Sequence, residues 1–175
     1  MDLKKYIRSI PDYPKKGILF RDITTLIKDK DAFKECIDQM TKILIKQDFE
    51  KIASIESRGF VFASAVSYLL KKPFVLLRKK NKLPADTHSV DFELEYGKAT
   101  IEVHKDSIEE NDSVLIIDDL IATGGTAEAA AKLVEISKGK VAGFIFVINL
   151  FDLGGCKKLI KLNHKVENLI DFPGH

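Results

Sequence analysis

Apolar residues recur along this chain in different rhythms, and each rhythm predicts a different element. Between residues 31 and 47, Phe33, Ile37, Met40, Ile43 and Leu44 return every three or four positions. That spacing draws one stripe along a helix and predicts a core-facing amphipathic helix. Short, nearly unbroken apolar runs at Ile52 to Ile55, Phe74 to Leu77, Val114 to Ile117 and 141 to 148 predict strands buried on both faces. Phe60 to Leu70 is a mostly apolar helix between the first two strands, and Ala127, Ala130, Ala131, Leu133 and Val134 mark another helix after the third. Residues 91 to 95 and 99 to 103 alternate polar and apolar around Tyr96-Gly97-Lys98, which predicts an antiparallel hairpin. Pro11 and Pro14 punctuate an irregular start. The order of strands and helices is that of an α/β domain with a mostly parallel sheet, whose ligands are expected beyond the carboxyl ends of the strands.

At 175 residues, 45% hydrophobic and 31% charged, the chain is expected to form one ordered domain, and no repeat or linker divides it. A net charge of +2, with basic residues scattered among acids, argues against a nucleic-acid partner. Cys36 and Cys156 stand alone, without zinc or disulfide spacing. His88, His104, His164 and His175 form no metal or triad pattern and are expected at or near the surface. The first residues carry no continuous apolar leader and no stretch reaches about 18 apolar residues, so a cytoplasmic protein without a membrane partner is expected.

The chemistry concentrates where the strand Val114 to Ile117 runs into Asp118-Asp119-Leu120-Ile121-Ala122-Thr123-Gly124-Gly125-Thr126. The strand is expected to end at the two carboxylates, and the glycines let the backbone approach a ligand closely. The following helix turns its free N–H groups and positive dipole end toward that turn, which suits a phosphate. Two adjacent carboxylates need partners if buried, and vicinal hydroxyls supply them. Glu56-Ser57-Arg58-Gly59 and Arg78-Lys79-Lys80-Asn81-Lys82 also follow strands, so their cations are expected on the same side of the sheet. Taken singly, Arg58 also reads as a helix-terminal surface charge, and residues 78 to 82 as a solvated loop.

These segments resemble one family. The turn from Asp118 to Thr126 is similar to the phosphoribosyl pyrophosphate (PRPP) signature of type I phosphoribosyltransferases. With Pro11-Asp12-Tyr13-Pro14-Lys15-Lys16-Gly17-Ile18-Leu19-Phe20-Arg21-Asp22-Ile23-Thr24, Glu56 to Phe60, Arg78 to Pro84 and Leu94-Glu95-Tyr96-Gly97-Lys98, the likeness spans residues 11 to 135 and points to the adenine-using branch. It implies the type I phosphoribosyltransferase fold over residues 1 to 175, a central mostly parallel sheet flanked by helices. A small N-terminal hood over residues 1 to 30 and a flexible antiparallel hairpin flap over 79 to 105 complete it.

The resemblance also implies the activity, transfer of the 5-phosphoribosyl group from PRPP to adenine in purine salvage, giving AMP and pyrophosphate. Ala122, Thr123, Gly124, Gly125 and Thr126 would hold the 5-phosphate, and Asp118 and Asp119 the ribose hydroxyls. Glu56, Ser57, Arg58 and Gly59, with Arg78 and Lys82, would hold pyrophosphate. Leu19, Phe20 and Arg21 would form the adenine slot, largely through backbone groups and the Phe20 ring. Glu95 would move a purine proton, with Tyr96 beside it. Mg2+ is implied, held mainly by PRPP and water, as are a homodimer and a cis peptide at Glu56-Ser57. Ala85-Asp86-Thr87-His88 departs from the family's usual Gly-Pro-Thr run and bears on flap motion. Two rivals stay open: a related enzyme acting on guanine or xanthine, and a regulator that binds PRPP or a nucleotide without turnover.

Overall fold

The computed structural model describes residues 1–94 and 97–174. Glu95 and Tyr96, expected to act on the base, and His175 therefore lie outside the described residues. After a 3-10 turn at Leu3–Tyr6, β1 (Arg8–Pro11) and β2 (Leu19–Asp22) form an antiparallel pair of their own, followed by α1 (Thr24–Lys28). The irregular start thus contains a hairpin that its prolines and short strands concealed. The amphipathic stripe forms α2 (Lys30–Leu44), opened by the Asp29 side chain, which accepts from the N–H groups of Asp31 and Ala32.

The main sheet has seven strands. In chain order they are β3 (Lys51–Ile55), β4 (Phe74–Lys79), β5 (Thr87–Leu94), β6 (Gly97–His104), β7 (Ser113–Ile121), β8 (Lys140–Leu150) and β9 (Val166–Phe172). Across the sheet the order is β5-β6-β4-β3-β7-β8-β9. Strands β4, β3, β7, β8 and β9 are parallel, and the β5–β6 hairpin adds antiparallel to β4. From β3 the chain passes through α3 (Arg58–Leu70) to β4 on one side, whereas β7 lies on the other. Connections leave β3 and β7 in opposite directions, so a crevice opens between them at their carboxyl ends.

Period-two alternation divides the core into two layers. Leu115 and Ile117 of β7 and Ile145 and Val147 of β8 face α2 and α3, packing on Ile37, Met40, Phe62 and Val66. Val114, Ile116, Phe144 and Phe146 face the opposite side, against α4 (Gly125–Ile136) and Leu159 of α5 (Gly155–Lys161). The buried run expected at 114 to 117 is therefore a sheet interior covered on both faces. Cys36 lies in the first layer, where burial pushes its thiol up to about 12, and Cys156 donates from Sγ to Asn149 Oδ1 at 3.2 Å.

Two expectations need correcting. The strand does not end at the acids: β7 continues through Asp118, Asp119, Leu120 and Ile121, held by its ladder with β8 as far as Ile121 opposite Asn149. The ladder with β3 stops at Ser54 opposite Ile117, so the acids sit where one neighbour gives out rather than where the strand does. The hairpin is also longer than its alternation suggests. Thr87 and His88, expected in the charged approach to it, pair with His104 and Val103. No helix among the described residues is long and apolar enough to cross a membrane.

Candidate active site

Three chain segments meet in a cavity of about 260 Å³ at the β3–β7 crevice: Ile55 to Arg58, Asp118 to Ala127, and Phe146 beneath them. The sequence-based groups for 5-phosphate, ribose and part of the pyrophosphate therefore come together. Two helices begin there. Neither Ser57 before α3 nor Gly124 before α4 caps its helix with a side chain, in contrast to Asp29 before α2. Their first N–H groups and dipole ends are left to whatever fills the cavity, which favours an anion. Gly124 has a φ of +85°, the left-handed conformation that lets the loop turn directly into α4.

The acids are held by few contacts. Asp118 Oδ1 accepts from the Asp119 N–H at 2.9 Å, and Asp119 Oδ2 lies 3.1 Å from Arg58 Nε, an ion-pair distance without hydrogen-bond geometry. Burial pushes the Asp118 carboxyl well above the ordinary carboxylate range, and the adjacent Asp119 charge adds to the rise. Burial raises Asp119 too, against the opposing charge of Arg58. A pair of reluctant carboxylates, one with a buried oxygen lacking a hydrogen-bond donor, is suited to receiving hydroxyls. Gly59 makes the close approach of α3 possible. A Cβ there would fall 2.6 Å from Asp118 Oδ1 and 3.3 Å from its Cα, and against Ser54 Oγ as well.

The Glu56–Ser57 peptide bond is cis, in accord with the resemblance, as is Tyr13–Pro14. The Glu56 carboxylate is taken up by the end of β4 rather than by the turn before α4. It takes two bonds from Arg78, Nη2 to Oε1 at 3.2 Å and Nε to Oε2 at 3.3 Å, and one from the Lys79 N–H at 2.9 Å. The Lys79 N–H bond, helped by the hydrogen bonds and charge of Arg78, outweighs the opposing effect of burial and holds Glu56 below its usual range. Arg78 also donates to the Lys82 carbonyl at 3.2 Å, closing the loop on itself. Beside the first cavity lies a second of about 550 Å³, lined by Lys79, Lys80, Lys82, Phe92 and the start of β6 at Ala99 and Thr100, with Ile55, Glu56 and Thr126 common to both. Lys79 and Lys80, to which the sequence assigns no role of their own, continue the same basic run.

The β1–β2 hairpin reaches this site through an aromatic side chain. Phe20 meets the Tyr13 ring edge-on at 5.2 Å, and the Arg58 guanidinium lies 5.4 Å from its centre. Leu19 is half-buried beside it on β2. Arg21 departs from any simple cation role: it is only 6% exposed and its side chain turns away to the end of β9. There it donates to Ser9 Oγ at 2.5 Å and to the Pro173 carbonyl at 2.9 Å, and lies over the Phe172 ring at 4.4 Å. No three His, Cys, Asp or Glu side chains among the described residues gather as a metal cage. The donor set fits a divalent ion carried in by a substrate's oxygens, with Asp118 and Asp119 as acidic neighbours.

Comparison with known proteins gives this geometry a family. Residues 24–169 match the phosphoribosyl transferase domain. An adenine phosphoribosyltransferase of Pelagibacter ubique is 77% identical over 175 residues, covering 100% of both chains. The chain belongs to the adenine phosphoribosyltransferase family. Another such enzyme, from Chlorobium phaeobacteroides, is 53% identical over 99% of both chains. The family's structures agree in fold: that from Thermoanaerobacter pseudethanolicus has a TM-score of 0.94 at 47% identity, with 98% of each chain covered. The Saccharomyces cerevisiae enzyme, solved with an imino-altritol bisphosphate and adenine, has a TM-score of 0.88 at 34% identity, with 97% of each chain covered.

Proposed function

We propose that this protein performs purine salvage, joining the 5-phosphoribosyl group of PRPP to N9 of adenine and releasing pyrophosphate and AMP. The observation that carries this is the junction of the uncapped α4 terminus, the Asp118–Asp119 pair and Arg58, with the hood's Phe20 against Arg58. Ala122 to Thr126 offer backbone N–H groups and hydroxyls to the 5-phosphate, and the two acids accept the ribose hydroxyls. Arg58 with the Glu56–Gly59 backbone, Arg78 and Lys82 take pyrophosphate, where guanidinium groups give planar two-point contacts. Leu19 and Arg21 read the base through their backbone, and Phe20 covers its face.

The bond from ribose C1 to the pyrophosphate oxygen breaks as the bond from C1 to N9 forms, through an oxocarbenium-like state. Mg2+, when bound with PRPP, supplies charge stabilisation to the leaving oxygens. The cations at Arg58, Arg78 and Lys82 hold the departing anion, and Glu95 receives or relays the purine proton. We assign residues 1 to 30 as the base-binding hood and 79 to 105 as the flap that excludes water from the reacting centre. The reading includes a cytoplasmic homodimer. The outer face of α3 suits its contact, since Tyr68 and Leu69 are exposed there by 84% and 51%.

The test is AMP formation from PRPP and Mg2+, with adenine, hypoxanthine, guanine and xanthine offered in parallel. Adenine-selective turnover is expected, because a 6-oxopurine presents mismatched donors and acceptors to a backbone slot. Comparable turnover of hypoxanthine or guanine would refute the base assignment, and PRPP binding without any product would refute the activity.

A further inference from the structure

The segment that leaves β8, residues 151 to 155, supplies no group to the site described above, yet it touches the supports of both halves. On one side the Gly155 N–H donates to the Ala122 carbonyl at 3.0 Å, directly under the 5-phosphate loop. Gly155 and Gly124 lie backbone against backbone. A Cβ on Gly155 would fall 2.7 Å from Ile121 Cγ1 and 2.9 Å from Gly124 N, and one on Gly124 would fall 3.1 Å from Gly155 Cα. The loop rests on α5 with no room for a methyl group between them.

On the other side, Asp152 Oδ1 accepts from the Gly174 N–H at 2.6 Å, and the Phe151 N–H donates to the Phe172 carbonyl at 3.1 Å. These bonds fix the stretch that holds the Arg21 side chain, which is bound to Pro173 and lies over Phe172. Burial lowers the Arg21 guanidinium from its ordinary range, and the Asp152 charge opposes that lowering. The backbone of Arg21 belongs to β2, so the same turn that supports the phosphate loop anchors the strand assigned to the base.

We propose that the β8–α5 turn is a positioning element that sets the spacing between base slot and 5-phosphate loop, Gly155 fixing the loop and Asp152 the base strand through the C-terminal segment. This rests on the activity proposed above. Ribose C1 and purine N9 come from two molecules held by different parts of the chain, and a reactive approach requires about 3–3.5 Å between such atoms. A misplacement of about 1 Å costs on the order of 10²-fold in rate, so a rigid tie between the two holders has a direct kinetic value.

Steady-state kinetics of the full chain test the proposal. Gly155→Ala should lower kcat about tenfold or more, raise KM for PRPP and weaken ribose 5-phosphate binding, measured by titration calorimetry, with KM for adenine unchanged within about twofold. Asp152→Ala should also lower kcat severalfold, but raise KM for adenine with PRPP unaffected. Lys157→Ala, exposed on α5, should change none of these. An unchanged kcat in both variants, or equal KM increases for both substrates, would overturn the proposal. If Gly155→Ala fails to fold, the surface substitution Asp152→Ala decides alone by the same criterion. A wild-type chain that forms no AMP refutes the activity itself, whereas an active wild type with indifferent variants refutes only the positioning role.

Discussion

Arg58 Nε stands 3.1 Å from Asp119 Oδ2, so the first cation of α3 is the counter-charge of a β7 carboxylate that is only 3% exposed. Arg58 therefore serves the acid as well as any anion above it. Arg58→Ala should destabilise the free protein by about 1 kcal/mol, a small figure because the Arg58 side chain is 44% exposed and solvent screens the pair. KM for PRPP should rise about tenfold or more, and Arg58→Lys should recover only part of it, since an ammonium lacks the planar fork. Denaturant titration and kinetics of the two variants check both expectations.

Asp118 carries the opposite lesson about stability. A carboxylate raised by burial binds its proton more tightly folded than unfolded, so it lowers stability once the pH exceeds its unfolded value. Asp118→Asn should raise Tm at pH 7 by roughly 2–4 °C, equivalent to about 1 kcal/mol in a chain of this size. It should also reduce kcat/KM for PRPP by about 10²-fold or more. A variant both less stable and fully active would contradict the assignment.

Gly59 has no space for a side chain, because a Cβ would lie 2.6 Å from Asp118 Oδ1. Gly59→Ala should cost about 1–3 kcal/mol through displacement of α3 or of the acid. Loss of PRPP affinity should accompany it, measured by equilibrium titration.

Asp22 is suited to an acid titration. Burial pushes its carboxyl up, but hydrogen bonds from Arg8 and Thr24 outweigh that and hold it at about 2, below the ordinary 3.8. Its contribution to stability is complete above the unfolded value and is lost as pH falls from about 4 towards 2. The stability gap between wild type and Asp22→Asn should therefore be constant at neutral pH and narrow across that interval. A gap that widens on acidification would contradict the pairing.

Glu95→Gln keeps shape and removes the proton acceptor. If the carboxylate acts on the purine, kcat should fall about 10²-fold with KM for PRPP little changed. Near-normal turnover would remove Glu95 from that role.

Local pattern makes the central part of this fold legible. The apolar runs of β3, β7 and β8 and the stripe of α2 follow from periodicity, and the glycines at the start of α4 mark the turn that lines the cavity. The hidden parts depend on distant chain. Strands β1 and β2 are four residues each, and the exposed positions of β9 break its apolar run. Nothing near Arg21 signals that its partner is Pro173, and nothing near Glu56 signals that Arg78 takes its carboxylate. The Gly154-Gly155 pair is an ordinary turn signal in sequence, and the reason Gly155 lacks a side chain appears only when Ala122 and Gly124 are found against it.

Strand β7 outruns its ladder with β3 by four residues, from Asp118 to Ile121. At about 3.3 Å per residue this carries the strand about 13 Å past the end of its β3 ladder, backed on one flank by β8 and met on the other by the start of α3, where Gly59 packs on Asp118. The overhang cannot shorten without unpairing β8. The difference in length between two neighbouring strands is thus set by hydrogen-bond register, and it fixes how far the acids and the turn before α4 stand beyond the end of β3.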